Sequence, residues 1–180
     1  MSRIGRVPVQ IPAGVEVKIN GNVVSVKGPK GELSRTIESK NITVKVEDNQ
    51  VLVTRVNDEP QNKALHGLYR KLISNMVEGV TNGYSKTLVV NGVGYKTSQK
   101  GNGVVLDVGF SHPVTVAAVP GITLKADGGT KIIVSGIDKE LVGQFAANIR
   151  VIRDPDPYHA YGISYEGETI ARKEGKKGKK

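Results

Sequence analysis

Two segments about eighty residues apart share one pattern, and this duplication limits the fold more than any other feature of the sequence. NITVKVEDNQVLVTRVNDE begins at Asn41 and GITLKADGGTKIIVSGIDKE at Gly121. Ile-Thr-aliphatic-Lys occurs at Ile42 to Lys45 and again at Ile122 to Lys125. A turn follows each, then an aliphatic strand (Val51-Leu52-Val53 against Ile132-Ile133-Val134), an acidic cluster and an amphipathic helix. One extra residue in the second turn moves the offset from 80 (Ile42 to Ile122) to 81 (Val51 to Ile132). Agreement in order across strand, turn, strand and helix predicts an internal duplication.

The helices support it. In the first copy Asn57 or Asp58 can cap, and Pro60 falls in the first turn, where its missing N–H costs little. Leu65, Leu68, Leu72, Ile73, Met76 and Val77 then recur at helical spacing. In the second, Asp138 can cap, and Leu141, Phe145, Ile149 and Ile152 form an apolar stripe. Each such face needs a floor, and hairpins beside it in sequence supply one. VEVKI, NVVSVKG and ELSRTI are separated by Asn20-Gly21-Asn22 and Gly28-Pro29-Lys30-Gly31, both turn-forming. In the second half KTLVVNGVGYKTSQ meets GVVLDVG across Lys100-Gly101-Asn102-Gly103.

The expected fold class is therefore α+β: two tandem domains of similar fold, each an antiparallel sheet with one helix packed on a face. Residues 1–82 form the first domain, 83–170 the second, and 171–180 a basic flexible tail. With no Trp and two Phe, the cores must come from Val, Ile, Leu and Ala, mostly as β-branched runs suited to strands.

Composition narrows the function. A net charge of +9 favours polyanionic partners, nucleic acid first and an acidic membrane surface second. The absence of cysteine excludes disulfides, thiolate zinc sites and cysteine nucleophiles. MSRIGRVPVQIP carries two arginines and no apolar core, unlike a secretory signal, and no run approaches the roughly 18 apolar residues of a membrane span. The expectation is a soluble cytoplasmic protein without a membrane partner.

Nothing suggests catalysis. His66, His112 and His159 lie far apart in sequence, outside any metal-ligating spacing. His66 reads as a surface or partly buried helix residue. Ser111-His112 looks like a catalytic pair only superficially, because adjacent strand residues face opposite ways. Gly92-Val93-Gly94-Tyr95 lacks the third glycine and following helix of a dinucleotide site, so its glycines mark a bulge or a close approach. No enzyme activity, cofactor, metal or small-molecule substrate is expected.

Several longer stretches are more specific. MSRIGRVPVQIPAGVEV with VKGPKGEL, NKALHGLYRKLISNMVEGVTNGY, NGVGYKTSQKGNGVVLDVGFSHPV and DPDPYHAYGISYEGE resemble, in that order, the sixth protein of the large ribosomal subunit in its bacterial form. The resemblance runs almost end to end. It implies two domains of similar fold arising by duplication, and binding to 23S-type rRNA near the sarcin-ricin loop and the stalk base, where translation factors dock. It also implies neighbouring ribosomal proteins and translation factors as partners. The family's tail motif usually reads Pro-Glu-Pro-Tyr-Lys-Gly-Lys-Gly. Here His159 and Tyr161 stand at the lysine positions and Ala160 at the intervening glycine, so a lysine-type phosphate role is not carried over there. Tyr158 and Gly162 match.

The candidate rRNA contacts follow from charge, turns and aromatic faces. Lys30, Lys96 and Lys100 sit at or beside turns, which project outward and let backbone amides approach phosphates. Arg3 and Arg6 form a basic entry arm, whereas Arg70 and Lys71 are either solvated helix charges or RNA contacts. Tyr158, Tyr161 and Tyr165 can stack on unpaired bases, or else close the edge of the second sheet. Arg153 flanks them. Lys86, Tyr95, His112, His159 and Gly162 complete the set, with Lys173, Lys176, Lys177, Lys179 and Lys180 in the tail RKEGKKGKK, which holds six basic residues and one acid. Such a tail can be merely solubilising; on a ribosomal protein it would neutralise phosphates. The alternative reading is a generic basic nucleic-acid-binding module outside the ribosome.

Overall fold

A computed structural model describes residues 3–176. They divide into two compact units, one running up to Gly83 and including Ile137–Lys139, the other comprising Tyr84–Gly136 and the residues from Glu140 onward.

The first unit contains α1 (Arg3–Arg6), β1 (Val9–Gln10), β2 (Glu16–Asn20), β3 (Val23–Gly28), β4 (Gly31–Thr36), β5 (Ile42–Glu47), β6 (Gln50–Arg55) and α2 (Pro60–Thr81). The meander β2-β3-β4 forms one antiparallel sheet, and β1-β6-β5 forms a second. Val24 and Val26 of β3, Val51 and Val53 of β6 and Val44 of β5 meet Ile73, Met76, Val77 and Val80 of α2 in one core. Gly28 shows how closely they meet: a Cβ there would lie 2.6 Å from the Val80 side chain.

The second unit contains β7 (Tyr84–Asn91), β8 (Lys96–Lys100), β9 (Gly103–Asp107), β10 (Val114–Val116), β11 (Ile122–Asp127), β12 (Lys131–Gly136), α3 (Lys139–Ile152) and β13 (Gly162–Tyr165). Its sheets are β10-β9-β8 and β11-β12-β7-β13. Leu88, Leu106, Ile132, Val134 and Ile163 are fully buried against Val142, Ala146 and Ile149 of α3.

The duplication is visible in register. Val44 pairs with Val53 in the β5–β6 hairpin, and Leu124 with Val134 in the β11–β12 hairpin. The first hairpin turns through Asp48 and Asn49, both at positive φ (46° and 63°), as a two-residue turn of matching twist requires. The second uses Gly128 and Gly129 at positive φ together with Thr130, which is the extra residue. The α+β class and the tandem repeat stand.

Within each unit the antiparallel strands divide between two small sheets. Several finer expectations need correction. KTLVVNGVGYKTSQ is not one strand, because the chain turns at residues 92–95. Only β8 pairs with β9, while β7 lies between β12 and β13. Neither Asn57 nor Asp58 caps α2, whose N-cap is Glu59 without a side-chain cap bond. Asn57 Oδ1 accepts instead from the Glu59 N–H and the Asn62 amide, and Asp58 pairs with Arg55.

The apolar stripes are also out of phase with expectation. In α2 the buried side runs Asn62, His66, Tyr69, Ile73, Met76, Val77, Val80, leaving Leu68 exposed; two polar residues on the core side obscured the phase. In α3 the centre is Val142, Ala146 and Ile149, with Leu141, Phe145 and Ile152 at its flanks. His66, expected at the surface or partly buried, is buried with 4% of its area exposed.

Candidate nucleic-acid interface

In the first unit the expected contacts divide by whether their donors already have internal work. Arg3 and Arg6 are exposed on α1, which seats Gly5 so closely on His66 that a Cβ would lie 2.5 Å from the ring. Lys71 is exposed on α2. Arg70 is engaged: its Nε donates to Val7 O at 2.9 Å and its Nη2 to Pro8 O at 3.2 Å, pinning the N-terminal segment to the helix.

Lys30 does not simply project from its turn. Its backbone N–H donates to Val80 O at 3.0 Å and its ammonium to Asn82 O. The last turn of α2 holds no basic residue of its own, so Lys30 supplies the donors and positive charge that a helix C-terminus favours.

In the second unit, Lys86 lies 5.5 Å from the centroid of the Tyr165 ring, and Lys96 sits 3.7 Å from Asp107. Lys100 is exposed at its hairpin. Tyr165 is partly buried in β13, so for this tyrosine the sheet-closing reading holds. The segment from residue 155 onward is buried in its second half: Gly162, Ile163 and Ser164 are all inside.

Gly162 is required by the backbone. Its φ of 149° and the 2.7 Å that would separate a Cβ from Asp154 O leave room for nothing larger.

Before that strand, residues 154–161 form a self-bonded loop. Asp156 Oδ2 accepts from the N–H groups of His159 (2.8 Å) and Tyr158 (3.3 Å), and lies 3.2 Å from His159 Nδ1. These bonds, the His159 amide foremost, hold the Asp156 carboxyl below the usual aspartate range. Asp156 N–H donates to Tyr161 O, and Ala160 N–H to Asp156 O. The loop leaves Tyr158 and Tyr161 exposed, with the His159 ring stacked on Tyr161 at 5.2 Å.

Phe110, which sequence reasoning passed over, stands exposed after β9. His112 stacks on it at 6.5 Å, and the Arg153 guanidinium lies 5.4 Å from its centroid, within cation–π range. The signal available in the sequence was an aromatic directly after Gly109 in an otherwise aromatic-poor chain.

Ser111 and His112 lie in a loop, not a strand, so the opposite-faces argument against a catalytic pair does not apply. Their Oγ and Nδ1 atoms are 3.4 Å apart. Among the described residues, no group of three or more His, Asp or Glu could hold a metal ion, and no helix is long and apolar enough to cross a membrane.

The tail does not run straight outward. Lys173 N–H donates to Pro157 O at 2.8 Å, bringing the chain back to the tyrosine loop. Lys176 is exposed. Lys177, Lys179 and Lys180 lie outside the described residues.

These features define an internally duplicated α+β protein that presents cationic and aromatic side chains on its loops and helix faces. The family model for ribosomal protein L6 matches residues 11–83 and 91–166, once in each unit. The large ribosomal subunit protein uL6 of Caldicellulosiruptor bescii is 56% identical over 179 residues, covering 99% of this chain and 98% of the relative. That of Clostridium novyi is 56% identical over 180 residues, covering 99% and 100%. The Clostridium botulinum uL6 is 57% identical over 181 residues, with both chains fully covered. The chain belongs to the ribosomal protein L6 family, in its bacterial form, a family of structural proteins without enzymatic activity.

Proposed function

We propose that this chain is a structural constituent of the large ribosomal subunit, acting within it in the cytoplasm. It binds 23S-type rRNA and supports the folded RNA near the sarcin-ricin loop, the stalk base and the region where translation factors dock. Neighbouring large-subunit proteins are its other partners, with translation factors meeting the same region. The observation that carries this reading is the family match across both repeats at more than half identity with large-subunit proteins. Net charge of +9 on a scaffold with exposed loop aromatics supports it.

The repeats act as two RNA-facing domains, residues 1–82 and 83–170, with 171–180 as a basic extension. Arg3, Arg6, Lys71, Lys100 and the tail lysines neutralise phosphates, while Tyr158, Tyr161, His159, His112 and Arg153 present flat groups to RNA. Lys30, Arg70, Lys86, Lys96, Tyr95 and Gly162 act chiefly by holding those surfaces in shape, since their donors, rings or backbone already serve internal contacts.

Co-sedimentation with the large subunit in a sucrose gradient tests the assignment. Filter binding to a 23S-type transcript tests the mechanism: log affinity should fall linearly with log salt, by about 0.7 to 0.9 per phosphate neutralised. A chain that stays at the top of the gradient, with affinity indifferent to salt, would contradict both.

A further inference from the structure

Three loops of the second unit meet around an open cavity of about 580 Å³, within the range of roughly 300–1,000 Å³ usual for small-ligand clefts. Tyr95, Phe110 and Tyr161 supply aromatic walls, Arg153 stands at the end of α3, and Asp154 and Asp156 face the same space.

The walls are ordered in advance. A Cβ at Gly92 would come within 2.5 Å of the Tyr95 ring, and one at Gly109 within 2.9 Å of its hydroxyl, so both glycines let that ring lie flat against the backbone. Phe110 is backed by His112 and by Arg153, and Tyr161 by His159. Phe110 and Tyr161 nevertheless remain 42% and 40% exposed, leaving ring surface open to the cavity.

The carboxylates decide what can enter. Asp156 is held in its charged form by the amides of its own loop, and Asp154 is paired with Arg150 at 2.8 Å. The charged Asp156 carboxylate repels a phosphate, whereas carboxylate oxygens accept hydrogen bonds from the N–H groups of a base. Aromatic and guanidinium planes stack on unpaired bases, whose Watson–Crick edges are then free to be read.

We propose that this cavity receives a single unpaired RNA base, extruded from its stack, with its face on Phe110 or Tyr161 and a donor edge directed at the aspartates. Guanine matches this lining best, because its N1–H and N2–H groups offer two adjacent donors to one carboxylate. The phosphates flanking the base stay outside, against the basic residues of the surface. This inference rests on the rRNA-binding reading above.

The test uses the full chain labelled with ¹⁵N. It is titrated with GMP, AMP, CMP and UMP, and separately with inorganic phosphate, while the amides of residues 109–112 and 153–162 are followed by NMR. In parallel, Phe110→Leu and Tyr161→Leu are compared with wild type for binding to a 23S-type transcript. GMP should move those amides at lower concentration than the other nucleotides, and phosphate should leave them in place. Each leucine variant should lose about fivefold or more in rRNA affinity.

Equal shifts from phosphate and GMP, or no shift from any nucleotide, would overturn the base pocket. So would leucine variants that bind rRNA as wild type does. The rRNA-binding reading survives those results if wild type still binds the transcript with steep salt dependence; failure of wild type to bind removes both. The wild-type titration decides the matter even where a leucine variant fails to fold.

Discussion

Arg150 and Glu168 are joined by two hydrogen bonds, Nη2 to Oε1 at 2.8 Å and Nε to Oε2 at 3.3 Å, which tie the last turn of α3 to the turn after β13. Glu168 Oε2 also accepts from the Tyr165 N–H at 2.9 Å. This pairing secures the final strand, and with it the entry to the tyrosine loop.

Arg150 foremost, and then the Tyr165 amide, hold the Glu168 carboxyl below the ordinary glutamate value of 4.5. A depressed folded value means that the stabilisation is complete above 4.5 and is lost as pH falls through the folded value. Thermal unfolding followed by circular dichroism should show Tm falling as pH drops below about 4.5. Glu168→Gln should make that fall shallower and cost about 0.5–1 kcal/mol at neutral pH, since the pair is only partly shielded from water. Identical acid profiles for the two proteins would refute the assignment.

His66 should be the most sensitive polar position in the first unit. Its Nε2 lies 2.8 Å from Val53 O and its Nδ1 2.7 Å from Arg55 Nη1. A carbonyl only accepts and a guanidinium only donates, so the proton sits on Nε2. Removing the ring strands both partners and opens a void beside Gly5. His66→Ala should destabilise by about 2–4 kcal/mol. His66→Gln, which keeps a donor and an acceptor, should cost less. Urea unfolding that ranks the two variants in the opposite order would contradict this.

Ala160 adopts a φ of +61°, a left-handed conformation in which a Cβ is strained. Ala160→Gly relieves the strain at the cost of greater freedom in the unfolded chain, and the balance should favour glycine by about 0.5–1 kcal/mol. Chemical unfolding would show the midpoint rising, with slope unchanged. A lower midpoint would mean that the loop gains nothing from relaxing at this position.

Removing residues 173–180 deletes five lysines. If they act by general phosphate neutralisation, the salt dependence of rRNA binding should flatten by up to about four units of log–log slope, and the protected RNA site should stay the same. Footprinting that shows a moved or lost site would assign the tail a specific role.

What the sequence alone determined was the repeated block: strand, turn, strand, helix, twice. Those elements are written in local terms, in the alternation of Ile42-Thr43-Val44-Lys45, the turn at Asp48-Asn49 and the spacing of Ile73, Met76 and Val77, and local terms survive being read in order. The turns that carry Lys30 and Lys100 were legible for the same reason, whereas which tyrosines stay exposed was left open by the sequence. The end-to-end resemblance carried the functional reading, which charge alone could not.

Only the tertiary structure decided that β7 leaves β8 to lie between β12 and β13, because strand partners are chosen by contacts far apart in sequence. It turned α2 so that Asn62 and His66 face the core, their polar atoms answered by Asn57, Val53 and Arg55 from other elements. It also occupied Lys30 and Arg70 with carbonyls 52 and 63 residues away, and set Phe110 beside Arg153. A side chain's identity fixes what it can bond; which partner it meets depends on how distant segments pack, and that is settled only when the chain has folded.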